Sequence, residues 1–209
     1  FDLTFLPLIE AIAPHCPKVK AFVAMCGPEH MPKTDKVPRL LCYETLLEEG
    51  AASYRWPALD ENSACGLCYT SGTTGHPKGA LYSHRSSVLH AYAAALPDAM
   101  AASAKDSILP IVPMFHVNAW GLPYSAPLVG AKLVFAGPAL DGKSVYELME
   151  SEKVTFSAGV PTVWLGLLNH VRDHKLTFTT FRRTVVGGAA CPPSMLRAFR
   201  EEFGVEVIH

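Results

Sequence analysis

Tyr69-Thr70-Ser71-Gly72-Thr73-Thr74-Gly75-His76-Pro77-Lys78-Gly79 places four small hydroxyl side chains, three glycines and one lysine in a single short turn. Those residue types meet three demands of a polyphosphate. Glycines let the backbone approach an anion and aim N–H groups at it. Ser and Thr hydroxyls donate to non-bridging oxygens or ligate a hard cation that travels with them. Lys78 adds a compact positive charge on a long stem. The loop is expected to hold the phosphates of a nucleotide. The bland alternative is a Gly/Thr-rich surface hairpin without a ligand, and the Pro-Lys-Gly ending argues against it. A Walker A loop needs Gly-Lys-Ser/Thr opening into a helix. Here Pro77 precedes the lysine and Gly79 follows it, so no helix runs through Lys78. The loop should instead join a strand, Ala64 to Thr70, to a strand or turn beginning at Gly79.

Working outward, strands and helices alternate. A helix over Leu3 to Ala13 precedes a buried strand over Val19 to Met25, a surface loop over Cys26 to Val37, and a short helix from Tyr43 closed by Gly50. Beyond the phosphate loop, Ser83 is placed to cap a helix over His84 to Ala95 whose apolar face would carry Val88, Leu89 and Tyr92. Strands follow over Ser107 to Val112, Lys132 to Phe135, Thr155 to Ala158, Arg183 to Val186 and Val205 to Ile208. Helices are expected within Phe115 to Leu128 and over Ser144 to Glu152, Thr162 to Asp173 and Pro193 to Phe203. This order implies an α/β fold, layered, with a mainly parallel sheet and flanking helices. Ligands of such a sheet lie at the carboxyl ends of its strands.

Composition narrows the class. The 209 residues are 49% hydrophobic and 18% charged, which supports a packed core and opposes disorder. The net charge of -1 and the absence of a basic run give no argument for nucleic acid as a partner. Apolar stretches such as Val160 to Leu168 are too short and too interrupted for a transmembrane segment, and no signal peptide is evident. A soluble cytoplasmic enzyme is the expected class. Phe1 in place of methionine and the abrupt stop at His209 read as cut ends, so residues 1–209 are expected to be a partial domain truncated at both ends. The six cysteines lack the spacing of a secreted scaffold. In a strand, Cys65 and Cys68 point to opposite faces, so core packing is favoured over a metal or redox pair. His170 and His174 lack the glutamate of a zincin and read as a solvated helix end.

With these segments in hand, the chain resembles the acyl-adenylate-forming (AMP-binding) superfamily, closest to its fatty acyl-CoA synthetase branch. Tyr69 to Gly79 matches the phosphate-binding signature. Val112-Pro113-Met114-Phe115-His116-Val117-Asn118-Ala119-Trp120-Gly121 matches the segment with an acyl-pocket histidine and, in long-chain enzymes, a tryptophan gate. Ser157 to Trp164 and Val185 to Ala190 match two further landmarks in order. The resemblance implies ATP and CoA as co-substrates, a small carboxylic acid as substrate, and Mg2+. It implies that Thr70 helps coordinate magnesium and that Ser71, Gly72, Thr73, Thr74, Gly75 and Lys78 form the loop over the phosphates. Gly188, Ala189 and His209 fall on the adenine side, and His116, Val117, Trp120, Val160, Pro161 and Gly188 on the acyl side. Thr70, Lys78 and His116 would act in the chemistry: acyl-AMP formation with release of pyrophosphate, then displacement of AMP by the CoA thiol.

Each residue also has a plainer reading. His116 could be a hydrogen-bonded core histidine, Trp120 and Trp164 core packing, and Gly187-Gly188 a left-handed turn alone. The family's Tyr-Gly-x-Thr-Glu segment, ribose-binding aspartate, hinge and C-terminal lid domain with its lysine would follow His209, so these residues alone are expected to be inactive. A homodimer would form through parts outside them. Two alternatives stand beside the ligase: a non-catalytic nucleotide-binding relative, and another adenylate-forming enzyme such as a peptide-synthetase adenylation domain.

Overall fold

The computed structural model describes residues 1–70 and 75–209. They form two compact units, Phe1–Ala58 and Leu59–His209. In the first, α1 (Leu6–Ile12) continues into a 3-10 turn over Ala13–His15. Strand β1 (Phe22–Ala24) pairs in parallel with β2 (Leu40–Cys42), which leads directly into α2 (Tyr43–Glu48). The sequence pattern did not signal β2, since three apolar residues followed at once by a helix leave no alternation to read.

The second unit opens with an antiparallel hairpin, β3 (Ala64–Thr70) and β4 (Lys78–Ser83), whose register sets Thr70 opposite Lys78. The expected strand-to-strand connector is therefore present. Helix α3 (His84–Ala95) begins where Ser83 was placed as its cap. The Ser86 N–H donates to Ser83 Oγ at 3.1 Å and the Ser83 N–H to Ser86 Oγ at 3.0 Å, a reciprocal capping box. Its apolar face differs from expectation. Ala91 and Ala94 are the buried residues, while Val88, Leu89 and Tyr92 are more than half exposed. Small alanines let α3 pack closely on α5, and the large side chains are left outward.

The remaining chain runs β5 (Ser107–Pro110), a single helical turn α4 (Val117–Trp120), α5 (Leu122–Val129), β6 (Lys132–Leu133), α6 (Gly142–Ser151), β7 (Phe156–Gly159), α7 (Pro161–Asp173), β8 (Arg183–Val186), α8 (Pro193–Arg197) and β9 (Glu206–Ile208). The five strands form one parallel sheet in the order β6-β5-β7-β8-β9. Counted from β5 this is the doubly wound order 2-1-3-4-5, whose switch point lies between the first and third strands, here β5 and β7. The α/β class and the mainly parallel sheet are thus as expected.

Both faces of the sheet are covered. On one, Leu109 packs with Val145 and Met149 of α6, Trp164, Leu167 and Leu168 of α7, and Phe199. On the other, Ile108, Phe156 and Ala158 meet Leu122 and Ala126 of α5. Successive strand residues alternate between the faces, and burying each large side chain contributes roughly 1.5–3 kcal/mol.

The amino ends of the strands are closed by a polar network. Asp106, 7% exposed, accepts from Thr155 Oγ1 (2.7 Å), the Ser103 N–H (2.9 Å) and Arg183 Nη2 (3.0 Å). Arg183 also lies over the Phe156 ring, 5.3 Å from its centroid. Burial pushes the Asp106 carboxyl up, but the Thr155 hydroxyl, the Ser103 N–H and the Arg183 charge outweigh it and hold it below the usual carboxylate range.

Among the described residues no helix is long and apolar enough to cross a membrane. All six cysteines are free; only Cys68 is buried, and Cys65 is exposed. Core packing therefore holds for Cys68 alone. The opposite-face reading of Cys65 and Cys68 agrees with the burial. His170 and His174 stack with ring centroids 4.4 Å apart, His174 as the exposed C-cap of α7.

Candidate active site

The carboxyl ends of β5, β7, β8 and β9 lie side by side, joined through Ile111 N–H to Ala158 O (2.9 Å) and Gly187 N–H to Gly159 O (3.3 Å). From each of them a segment singled out in the sequence departs.

After β5 comes the most unusual backbone in the chain. Val117, Asn118, Ala119 and Trp120 have φ of 49, 48, 48 and 55°, followed by Gly121 at 76°. The helix expected within Phe115 to Leu128 is the right-handed α5, and it is preceded by α4, one turn of left-handed helix. Left-handed geometry costs about 1–2 kcal/mol per non-glycine residue, and β-branched Val117 is a clear outlier there. Such strain persists only where surroundings over-determine it, and it clusters at functional sites.

Three contacts hold the turn. Cys68 Sγ on β3 donates to Asn118 Oδ1 at 3.2 Å. The Trp120 ring lies against Gly187, where a Cβ would stand 2.7 Å from Cη2. The His90 ring of α3 presses on Gly121, where a Cβ would stand 2.5 Å from Nδ1. Glycine at 187 and 121 is thus required by close approach, and at 121 also by φ.

His116 is exposed, not in a core, and Phe115 beside it is 82% exposed. Trp120 is half-buried over Gly187, whereas Trp164 is fully buried with Nε1 donating to Gly159 O at 3.2 Å. The plain packing reading holds for Trp164.

From β7, Val160 and Pro161 open α7. The Val160 Cγ1 stands 3.1 Å from the place of a Cβ on Gly188, which has φ of 76°. Gly188 and Ala189 are exposed in the loop from β8 to α8. At the end of β9, His209 Nδ1 pairs with Val186 O at 3.0 Å, and the Cys191 N–H donates to its Nε2 at 3.5 Å. His209 therefore ties β9 to the loop carrying Gly188 and Ala189.

In the hairpin, Thr70, Gly75 and Lys78 are exposed. Ser71, Gly72, Thr73 and Thr74, the centre of the predicted phosphate loop, lie outside the described residues. The described residues include no group of three or more His, Cys, Asp or Glu able to hold a metal ion. Thr70 offers a single hydroxyl oxygen at the end of β3.

Trp120, Val160, Gly188 and His209 are thus gathered at one edge, with Asn118 linking that edge to the hairpin. Sequence reasoning did not single out Asn118, His90 or Cys191, and it read Gly187 as a turn residue rather than a seat for Trp120. Asn118 and Gly121 carried a faint signal, as residue types that tolerate left-handed backbone; the other contacts bridge distant segments.

The profile of AMP-binding enzymes matches residues 18–209. The chain belongs to the AMP-binding enzyme family. Two curated relatives of this AMP-binding enzyme are a medium-chain-fatty-acid–CoA ligase of Ectopseudomonas oleovorans, 55% identical over 208 residues and covering 100% of the chain, and a 3-methylmercaptopropionyl-CoA ligase of Ruegeria lacuscaerulensis, 50% identical over 209 residues and also covering 100%. The chain spans 38% and 39% of their respective lengths. Among solved structures, the anthranilate CoA ligase AuaEII in complex with anthranoyl-AMP shares the fold with a TM-score of 0.81 at 22% identity, covering 99% of this chain and 39% of that one.

Proposed function

We propose that these residues are the nucleotide-facing and acid-facing part of an AMP-forming acyl-CoA ligase that acts on medium-chain fatty acids, within a longer chain that also carries a C-terminal lid domain. The observation that carries the reading is the 55% identity, over 208 residues, with a medium-chain-fatty-acid–CoA ligase. The convergence of the acid-side and adenine-side segments at one sheet edge supports it.

In this reading a carboxylate oxygen attacks the α-phosphorus of ATP, the bond to pyrophosphate breaks, and acyl-AMP forms. The CoA sulfur, giving up its proton, then attacks the acyl carbon and AMP leaves. Lys78 and Thr70, opposite each other at the mouth of the hairpin, face the phosphates together with Ser71 to Gly75. Charge neutralisation there is worth most in the transition state. Gly188, Ala189 and His209 line the adenine side. Val117, Trp120, Val160 and Pro161 receive the acyl chain, and the exposed His116 meets its carboxylate. Magnesium, when present, neutralises phosphate charge; the phosphates would hold it, with Thr70 adding one oxygen. A cytoplasmic location and a homodimer built through other segments belong to the same reading.

The test is acid-dependent ATP–pyrophosphate exchange without CoA in the full-length protein, with acids from acetate to palmitate and a short thioether acid. Exchange that peaks at medium-chain acids is the expected result. ATP binding without exchange on any acid would favour the non-catalytic nucleotide-binding relative, and a peak on amino acids a peptide-synthetase adenylation domain.

A further inference from the structure

We propose that the Cys68–Asn118 hydrogen bond couples acid binding to ATP binding, with Asn118 as a positioning residue; this rests on the ligase reading above. The left-handed turn carries Val117 and Trp120 on its acid side. Its one hydrogen bond to the β3–β4 hairpin, among the described residues, is the 3.2 Å contact from Cys68 Sγ to Asn118 Oδ1. Cys68 is 6% exposed and stands two residues before Thr70. In a strand these two share a face, so a shift of Cys68 carries Thr70 with it. The Asn118 carboxamide also lies against Gly66, its Nδ2 3.7 Å from the place of a Cβ there. One short side chain thus bridges the strand entering the phosphate loop and the turn on which an acyl chain would rest.

The strain of the turn makes the bridge consequential. Four consecutive non-glycine residues in left-handed geometry are held by neighbours against their own preference. An acid seated against Val117 and Trp120 favours the observed arrangement, and ATP held by the hairpin favours the same register through Cys68. Two ligands that stabilise one arrangement bind cooperatively, each raising the other's affinity by the same factor.

The affinity of the full-length protein for α,β-methylene-ATP, measured with and without saturating octanoate, tests this. Wild type should bind the analogue about fivefold more tightly with octanoate, at the low end of ordinary coupling. Cys68→Ala should bring that ratio to about one while leaving the analogue's affinity without acid unchanged, with the Tm lowered by the lost hydrogen bond. Cys68→Ser, which restores a donor, should recover the ratio. Asn118→Gly, which accepts left-handed backbone but lacks the carboxamide, should lose it. A Cys68→Ala variant with the wild-type ratio, or a wild type with no ratio, overturns the proposal while pyrophosphate exchange still stands. Loss of exchange with every acid in wild type overturns the ligase reading, and the coupling with it.

Discussion

The two ends of the five-stranded sheet are built on opposite principles. At the amino ends, Asp106, Thr155, Ser103 and Arg183 form a part-buried network in which the carboxylate takes hydrogen bonds from three partners. At the carboxyl ends the chain instead holds a strained left-handed turn, exposed glycine and alanine at 188 and 189, an exposed His116 and an open hairpin. One end pairs its carboxylate fully, though Arg183 Nε stays buried without a partner among the described residues; the other stores strain and leaves polar groups exposed. The contrast teaches that, on the proposed reading, stability and function are divided along the strand axis, the carboxyl ends being where ligands of open parallel sheets bind.

The largest expected effect breaks the closed end. Asp106→Ala leaves Arg183 without its carboxylate and should destabilise the protein by about 3–5 kcal/mol, read by denaturant unfolding at pH 7, with exchange activity per folded molecule unchanged. The carboxyl titrates lower in the folded state than in the unfolded chain, so its contribution is fully present above the unfolded value and is lost as pH falls through the folded value. Wild type should therefore lose this advantage over the variant in strong acid. A variant equally destabilised at all pH values would show that packing, not charge, carries the network.

The next effect breaks the open end. Lys78→Ala in the full-length protein should lower pyrophosphate exchange by about 10²–10³-fold, the scale for one transition-state donor, with no change in Tm because the side chain is exposed. Unchanged exchange would remove Lys78 from the chemistry. The smallest effect sharpens how the open end is organised. His209→Ala removes both ring hydrogen bonds and should raise the KM for ATP about fivefold, on the scale of about 1 kcal/mol for a hydrogen bond. His209→Gln, with one amide donor and one acceptor, should stay near wild type. Equal defects in both variants would mean that ring stacking, rather than the two hydrogen bonds, matters there.

Much of this arrangement was legible beforehand because it rests on local rules. Ser83 capped α3 because its hydroxyl reaches the N–H three residues on, a contact set by chain spacing alone. The strands from β5 to β9 followed from short apolar runs bounded by turn residues, and their parallel pairing from the helices between them. Failures came where a neighbour overrode local preference. Val88, Leu89 and Tyr92 read as a buried face, yet the side of α3 that packs carries alanines. Phe115 to Leu128 read as holding a helix after a loop, which α5 is, yet nothing local showed that Val117 to Trp120 wind the other way before it.

By itself, the sequence determined the α/β class, the connector from β3 to β4, the order of elements and the segments that reach the candidate site, since each depends on residue type and spacing along the chain. Only the tertiary structure decided the hand of the turn after β5, the seating of Trp120 on Gly187, the pinning of the 187–191 loop by His209, and the bridge from Asn118 to Cys68. Those contacts join residues 18 to 67 positions apart, and their energies exist only once the sheet has brought the segments together. A left-handed turn of L-residues is unfavourable on its own terms; it stands because Cys68, His90 and Gly187 surround it.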